Sequence, residues 1–177
     1  RHLLSALGRL TGHPSGLPGL VMARVPASYC SLAGPPSLES CTRDVYAPHT
    51  AFTWPVALRL LQGVAQAALH LHQHGITHGD LYAHNLLWRE DGECRLGDFG
   101  AATLLPADLD ARTRRAFEQV EVLAFGHLMT EVADRVEGHT PLTLPAWRQL
   151  CEACQADVPH ERPAWVDIVD GLAGCAR

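Results

Sequence analysis

The sequence predicts a mostly helical α+β fold built around one core. Its 177 residues can bury one sizeable core, and a second full domain is unexpected at this length. Apolar residues recur at helical spacing in two long stretches, which predicts two long amphipathic helices. Between these stretches, two predicted short strands, 86–88 and 94–96, flank Asp91-Gly92, a dipeptide typical of a β-hairpin turn. Helices therefore form most of the predicted fold and strands a small part.

The first 52 residues give weaker signals. Leucines at helical spacing predict a helix over residues 2–10, which ends before the Gly and Pro that follow. Residues 19–25 are apolar except for Arg24 and stop at Pro26, as a buried strand would. Residues 26–52 hold much of the Pro, Ser and Gly, so we expect a loop with one short helix there.

The clearest helix begins after Thr53, an N-cap residue, has Pro55 in its first turn and ends at Gly75. Its inner face is predicted to comprise Val56, Leu60, Val64, Ala67, Ala68 and Leu71. The second long helix covers about 114–135, with Phe117, Val120, Leu123, Ala124, Leu128 and Val132 inward. A third helix is expected over about 144–155. The last begins after Pro163, with Val166, Ile168, Val169 and Leu172 as its apolar residues.

Composition narrows the functional classes. The net charge of −5 argues against a large nucleic-acid surface. No apolar run approaches the roughly 20 residues of a membrane helix, and no secretory signal is visible, so the cytoplasm is the expected location and no membrane partner is expected. All 14 basic residues are Arg, and the sequence contains no Lys. Chemistry that needs an ammonium group is therefore missing from this chain.

The cysteines and histidines have ordinary interpretations. The six cysteines are Cys30, Cys41, Cys94, Cys151, Cys154 and Cys175. Their even number permits disulfides, but without a secretory signal we expect buried free thiols, and we interpret the C-x-x-C at 151–154 as small core residues. Histidines 70, 72 and 74 could suggest a metal site; no third ligand is evident on one helix face, so a solvated surface is favoured.

The most informative stretch runs from His78 to Gly100. Asp80 can accept the proton of an attacking hydroxyl group, while Asn85 and Asp98 offer oxygen atoms to the Mg²⁺ ions that neutralise a nucleoside triphosphate. Two acidic groups and an amide at this spacing suit phosphoryl transfer.

This stretch resembles the catalytic loop and the metal-binding Asp-Phe-Gly of protein kinases, in the spacing and in the hairpin between the two. The resemblance implies that Asp80 is the catalytic base, that His78 orients the loop, and that Asn85 and Asp98 bind Mg²⁺. Residues 20–25 resemble the strand and hinge that hold adenine. The residues that the resemblance assigns to ATP are Met22 as gatekeeper, Ala23 and Val25 at the base, Leu87 as the pocket floor, and Phe99 and Gly100.

His-Gly-Asp also occurs in aminoglycoside and choline kinases, and later residues separate the two classes. The segment Glu121–Gly126 resembles the start of the central helix of protein kinases, with Glu in place of Asp. Pro159-x-x-Arg162-Pro163 resembles their penultimate segment. The chain is therefore identified as similar to protein kinases, with a fainter likeness to bacterial eukaryotic-like ones. The implied fold is a kinase large (C-terminal) lobe over 26–177, with a short hairpin at the active site and a small-lobe remnant and hinge strand over 1–25.

The sequence departs from the kinase pattern in three places. It has no glycine-rich loop, no strand Lys and no Glu-bearing helix, so most of the small lobe is expected to be missing, with the opening helix as the tail of that Glu-bearing helix. Gly79 stands where protein kinases usually have Arg, which predicts no phosphorylation switch. No Ala-Pro-Glu occurs before Glu121, so Arg162 must pair with Glu118 or cap a helix instead.

The expected function is transfer of the γ-phosphoryl group of MgATP to a protein hydroxyl. A second hypothesis is a pseudokinase, a nucleotide-binding scaffold or an inactive fragment, favoured by the missing Lys and glycine-rich loop. A third is a small-molecule kinase of the aminoglycoside or choline type. The resemblance also implies a small lobe or partner that covers the exposed ATP site. It leaves open whether the acceptor is Ser/Thr or Tyr.

Overall fold

The computed structural model describes residues 2–40, 43–138 and 145–176. Within these ranges the helices are α1 (Trp54–Gln73), α2 (Ala111–Ala133), α3 (Pro145–Cys154) and α4 (Trp165–Gly174). The strands are β1 (Ala6–Leu10), β2 (Gly19–Met22), β3 (Cys30–Ser31), β4 (Ile76–Thr77), β5 (Leu86–Trp88), β6 (Cys94–Leu96) and β7 (Thr103–Leu104). The predicted mostly helical α+β class is confirmed.

The strands form three small antiparallel sheets, β1-β2, β3-β5-β6 and β4-β7. The predicted hairpin is confirmed: β5 and β6 pair with Leu86 opposite Leu96 and Trp88 opposite Cys94. Gly92 closes its turn at a φ of +83°, a left-handed conformation that favours glycine. The β4-β7 sheet ties the chain before residue 78 to the chain after residue 102. The β3-β5-β6 and β4-β7 sheets therefore both border residues 78–100, the stretch that the sequence identified as chemically important.

Helix α1 lies at the centre and packs against α2, α4, β4 and β6. It follows Thr53 in the N-cap position, although the Thr53 side chain makes no capping hydrogen bond. Gly75 terminates it at a φ of +70°. Of its predicted inner face, all residues are buried except Val56, which is half-buried. The largest core side chains from the other helices are Phe125, Leu128, Met129, Trp147, Trp165, Ile168 and Leu172.

The predicted N-terminal helix is wrong, because residues 6–10 form strand β1 paired with β2. Just before β1, the amide of Leu4 donates to the carbonyl of Leu96 at 3.0 Å, so the chain there runs along the edge of β6. Gly12 and Gly16, both at positive φ, turn the chain back toward β2. The leucine spacing mimicked a helix, but β1 is exposed along its length, so backbone pairing and not burial determines its conformation.

Strand β2 was predicted correctly as a strand, but it is shorter than 19–25 and mostly exposed. The segment 26–52 was expected to hold one short helix; none occurs in residues 26–40 or 43–52. The third and fourth helices lie where they were predicted. On α4, Val166 is exposed and Val169 half-buried, while Trp165 takes the buried position.

The predicted inner face of α2 is wrong at its N-terminal end. Phe117 is 42% exposed and Val120 is 66% exposed, whereas Gln119 and Glu121 are buried. Apolar periodicity misplaced the face because these inward residues are polar, and the Glu121 carboxylate accepts a hydrogen bond from the backbone amide of Gly79. From Val122 onward the buried face is apolar. Leu128 and Val132 are buried as predicted, but Leu123 and Ala124 are only half-buried, and Val122, Phe125 and Met129 take the inward positions.

Five cysteines are free thiols in the described part of the chain, and Cys41 lies outside it. Cys94, Cys154 and Cys175 are buried as expected, whereas Cys151 is half-buried and Cys30 is exposed. Cys151 and Cys154 lie on α3 as packing residues. Within the described ranges, no helix combines the length and apolar character required to span a membrane.

Candidate active site

The loop from His78 to Asn85 follows β4 and ends in a single 3₁₀ turn, Ala83–Asn85. The Asn85 side-chain amide donates to the backbone carbonyl of Asp80 at 2.9 Å and to Asp80 Oδ2 at 2.8 Å. Asn85 is buried, while the Asp80 side chain keeps 39% of its surface exposed. The structure thus brings these two residues together, with the carboxylate of Asp80 accessible to a reactant.

His78 is 1% exposed and joins this loop to the strand that precedes Asp98. Its Nε2–H donates to the carbonyl of Gly97 at 2.8 Å, which leaves Nδ1 to accept from the amide of Asp80 at 3.3 Å. Its ring lies 5.2 Å from that of Phe99. With both ring nitrogens used inside the protein, His78 can hold the loop in place but has no atom free for proton transfer.

Asp98 is exposed and has a φ of +50°, in the left-handed region that few non-glycine residues adopt. The amide of Gly100 donates to its Oδ1 at 3.1 Å, and the single 3₁₀ turn Phe99–Ala101 follows. The amide of Gly97 donates to the carbonyl of Asn85 at 2.9 Å, which keeps the two segments side by side. Asn85 and Asp98 therefore both line one cleft, with a volume of about 930 Å³.

The oxygen atoms in this cleft suit a hard divalent cation. Both hydrogens of the Asn85 amide are committed to Asp80, and among the described residues no donor contacts its Oδ1 or the Oδ2 of Asp98. In the described ranges, no three His, Cys, Asp or Glu side chains cluster as a metal site. A Mg²⁺ ion at Asn85 and Asp98 would thus take its other ligands from phosphate groups and water, as Mg²⁺ commonly does.

Most of the residues assigned to the adenine end of the site do not line this cleft. Leu87 is half-buried on β5 opposite Ser31, and Ser31 lines the cleft. Met22 and Ala23 are exposed and Val25 is half-buried. None of these three lines the cleft. Phe99 lines a separate apolar cavity of about 460 Å³ with Leu3, Leu4, Ser5, Ala6, Leu20, His70, Leu71, His74 and Ile76, and Gly100 is exposed.

Glu121 anchors the catalytic loop from α2. Its Oε1 accepts the amide of Gly79 and its Oε2 accepts Nε2–H of His72, both at 2.5 Å. Only 9% of the His72 side chain is exposed, so its interpretation as solvated surface is wrong, whereas His70 and His74 are exposed as predicted. The sequence could not show that His72 faces α2, because that depends on the packing of two helices far apart in sequence.

Gly79 is the point of closest approach between the catalytic loop and the chain after Asp98. Its φ is +78°, and a β-carbon placed on it would lie 2.5 Å from the carbonyl oxygen of Ala101. The pairing of β4 with β7, with Thr77 opposite Thr103, holds these two segments together. Main-chain contacts thus fix the segment that follows Asp98.

Asp44 is a site residue that the sequence did not reveal. Its side chain is fully buried, and it accepts hydrogen bonds from the amides of Ala83 and His84 at 3.0 and 3.1 Å. It also accepts Nδ1–H of His84 at 2.6 Å. An acidic residue in a loop rich in Pro and Ser carries no signal of this role.

Arg162 does not pair with Glu118, which was one of two predicted alternatives. Its Nε and one guanidinium nitrogen donate to the carbonyls of Ala156 and Gln119, each at 2.9 Å. Ala156 lies just beyond the end of α3, so the other alternative, capping, describes the contact better. Glu118 binds Arg115 at 2.7 Å.

Comparison with known proteins gives information about this chain that does not depend on the geometry of the site. Residues 37–118 match the family described as the protein kinase domain. The chain is 35% identical over 100 residues to a putative L-type lectin-domain containing receptor kinase V.8 of Arabidopsis thaliana, covering 45% of this chain and 16% of that protein. It is 30% identical over 112 residues to the calmodulin-binding receptor kinase CaMRLK of the same plant, covering 60% of this chain and 16% of that protein.

A third relative is the anti-Muellerian hormone type-2 receptor of Oryctolagus cuniculus, 40% identical over 67 residues. That match covers 33% of this chain and 12% of the receptor. The chain thus spans only a small part of the curated relatives that it matches. The matched family region contains Asp80, Asn85 and Asp98.

Proposed function

Because this chain belongs to the protein kinase superfamily, we propose that it binds ATP with Mg²⁺ and transfers the γ-phosphoryl group to a hydroxyl group of a protein substrate. The observation that carries the proposal is the cluster of Asp80, Asn85 and Asp98 at one cleft. MgATP would supply an activated phosphoryl group and the positive charge that offsets its oxygens. The rest of the chemistry is assigned to side chains of this chain.

In this proposal Asp80 accepts the proton of the acceptor hydroxyl. Its Oδ2 is already bonded to Asn85, and Oδ1 has no donor among the described residues, so Oδ1 is the atom available to the hydroxyl. Asn85 Oδ1 and the Asp98 carboxylate bind the cation. His78 acts on the loop, since both of its ring nitrogens are occupied within the protein.

We further assign residues 1–25 to the hinge side of the site and 26–177 to a kinase large lobe. The apolar side chains of the β1-β2 ribbon and its turn support a covering segment or partner, because a cluster of exposed apolar residues commonly marks an interaction surface. These side chains are Leu7, Leu10, Leu17, Leu20, Val21 and Met22. The five free thiols support a reducing compartment such as the cytoplasm.

The test is MgATP binding by calorimetry and phosphoryl transfer in the presence of a generic protein acceptor. Asp98→Ala is expected to abolish measurable binding, because it removes a carboxylate from the cation site. Asp80→Asn is expected to retain binding and to lower kcat by about 10² to 10³-fold, the usual contribution of a general base. Equal activity of Asp80→Asn and the unmodified protein would refute the assignment of Asp80.

A nucleotide-binding scaffold without transfer is the second candidate, favoured by the absence of lysine from the sequence. Protein kinases use a strand lysine to position phosphates, and lost positioning costs several orders of magnitude in rate. Binding that depends on Asp98 without transfer that depends on Asp80 would favour this candidate. Transfer to an amino sugar or choline in place of protein would favour a small-molecule kinase.

Cys30 offers an independent probe of nucleotide binding. It is exposed and lines the cleft together with Asn85 and Asp98, whereas burial raises the pKa of the Cys94 and Cys154 thiols to about 12. At pH 8 we expect iodoacetamide to modify Cys30 while Cys94 and Cys154 stay unmodified, because only a thiolate reacts. MgATP is expected to slow the modification of Cys30 at least severalfold.

Peptide mass spectrometry measures this directly, and it resolves each cysteine separately. Cys175 is buried at the C-terminal end of α4 and lines none of the cleft, so it reacts only when the fold opens and serves as the internal reference for general stabilisation by nucleotide. Slowing of Cys30 and Cys175 to the same extent would indicate general stabilisation and would count against binding in this cleft.

A further inference from the structure

His84 lies between a buried carboxylate and the proposed base. Its Nδ1–H donates to Asp44 at 2.6 Å, and its Nε2 lies 3.8 Å from Asp80 Oδ2. Since Nδ1 is committed to Asp44, the ring can rotate little, and Nε2 stays directed at Asp80. Both His84 and Asn85 therefore face the same oxygen of Asp80.

The support behind His84 is rigid. The Asp44 side chain is fully buried and also caps the turn by accepting the amides of Ala83 and His84. Next to Asp44, Val45 exchanges two backbone hydrogen bonds with Gly34, at 2.8 and 2.9 Å. Asp44 is thus held by main-chain pairing on one side and holds the catalytic loop on the other.

The side chain of Tyr82 also limits movement of the His84 imidazole. The ring of Tyr82 lies 5.6 Å from that of His84, and the guanidinium of Arg43 stacks on Tyr82 at 4.2 Å. Arg43 is itself bound to Glu131 at 3.0 Å. The His84 ring is therefore bounded by Asp44 and Tyr82, and His84 lines the cleft.

We propose that Asp44 and His84 form a positioning pair for Asp80, which holds its carboxylate so that Oδ1 faces the acceptor hydroxyl. This inference rests on the proposed phosphoryl transfer. Asn85 donates to Oδ2, and the His84 ring lies 3.8 Å from the same oxygen, so the ring occupies space into which the Asp80 carboxylate would otherwise turn. His84 contacts no reactant in this role, so it is a positioning residue and not a catalytic one.

The first test is His84→Ala in the purified protein. We expect kcat to fall about 10- to 100-fold, because displacing a reacting group by about 1 Å lowers the rate by up to that factor. The KM for ATP and the affinity for MgATP by calorimetry are expected to stay unchanged, since the proposed role of His84 involves no contact with nucleotide. The melting temperature should fall modestly, because the buried Asp44 carboxylate loses one of its three hydrogen-bond donors. The matched control is His160→Ala, an exposed histidine far from the loop in sequence, which should change none of these quantities.

Asp44→Asn and His84→Gln are two milder substitutions whose losses of kcat can be compared with that of His84→Ala. Asp44→Asn keeps one accepting oxygen and should give a smaller loss of kcat than His84→Ala. His84→Gln, which retains a polar group of similar reach, should recover part of the lost kcat. A kcat within twofold of the unmodified protein for His84→Ala would overturn the proposal. So would a loss of kcat matched by an equal loss of MgATP affinity, which indicates a merely structural role.

A measurement without nucleotide separates this inference from the proposed function. In the free protein, the side-chain amide protons of Asn85 are protected by their bonds to Asp80, and nuclear magnetic resonance can follow their exchange with water. We expect His84→Ala to accelerate that exchange about tenfold, because Asp80 becomes mobile. If the unmodified protein transfers no phosphoryl group, the function fails, and this exchange rate still decides whether His84 holds Asp80; unchanged exchange refutes it.

Discussion

Replacing Gly79 by arginine, the residue that protein kinases usually have at this position, is expected to destabilise the folded chain and not to create a regulatory contact. At a φ of +78°, a side chain costs about 1 to 2 kcal/mol of backbone strain. The β-carbon would also lie 2.5 Å from the carbonyl oxygen of Ala101, an overlap that only backbone movement relieves. Such overpacking adds roughly 1 to 3 kcal/mol.

The expected loss is therefore about 2 to 5 kcal/mol in the free energy of unfolding, measured by urea titration. Gly79→Ala should lose nearly as much, because the β-carbon causes the clash. Gly12→Ala is the matched control: Gly12 has a φ of +74° but has no atom within 4 Å of an added β-carbon. If Gly12→Ala and Gly79→Ala cost the same, the contact with Ala101 contributes nothing and the interpretation is wrong.

This result would explain why the position holds no arginine. In many kinases that arginine pairs with a phosphorylated loop and so provides an on-switch. Here the loop backbone itself occupies the space, and the β4-β7 pairing holds the following segment without a phosphate. The sequence prediction that no such switch exists gains a physical basis, because the main chain takes the place of the salt bridge.

The parts of the fold that the sequence predicted well are those with local signals. Thr53 and Gly75 bracket α1 because caps and left-handed glycines act within one turn of the helix end. Asp91-Gly92 predicted the hairpin because a two-residue turn depends on its own dihedral angles. The proximity of Asp80 and Asn85 likewise follows from their closeness in sequence.

The parts that failed depend on distant partners. Strand β1 forms because β2 is available to pair with it, and its leucines are exposed, so a burial pattern misled the prediction. Phe117 was placed inward and Glu121 was not recognised as an anchor, since apolar periodicity assigns polar residues to the surface. Asp44 is 36 residues from Asp80 in the chain, and only the folded structure connects them.

Removing the Glu121 carboxylate is the other change with a large expected effect. Glu121→Ala leaves the amide of Gly79 and Nε2–H of His72 without their acceptor. The His72 side chain is only 9% exposed, so its unpaired donor costs about 1 to 3 kcal/mol, whereas Gly79 is exposed and its amide can bind water instead. The free energy of unfolding should therefore fall by roughly 1 to 3 kcal/mol. Because Gly79 directly precedes Asp80, the catalytic loop should also loosen, which hydrogen exchange at the amide of Gly79 would reveal.

Glu121→Gln separates hydrogen bonding from charge at the same position. The glutamine carbonyl can still accept from Gly79, and its amide can donate to Nε2 of His72 if the imidazole shifts its proton to Nδ1. Because both contacts survive, we expect a loss well below that of Glu121→Ala and little change in exchange at Gly79. An equal loss for the two variants would mean that the negative charge, and not the two hydrogen bonds, holds the loop on α2; His72→Gln would then be expected to destabilise the chain in proportion to the ion pair it removes.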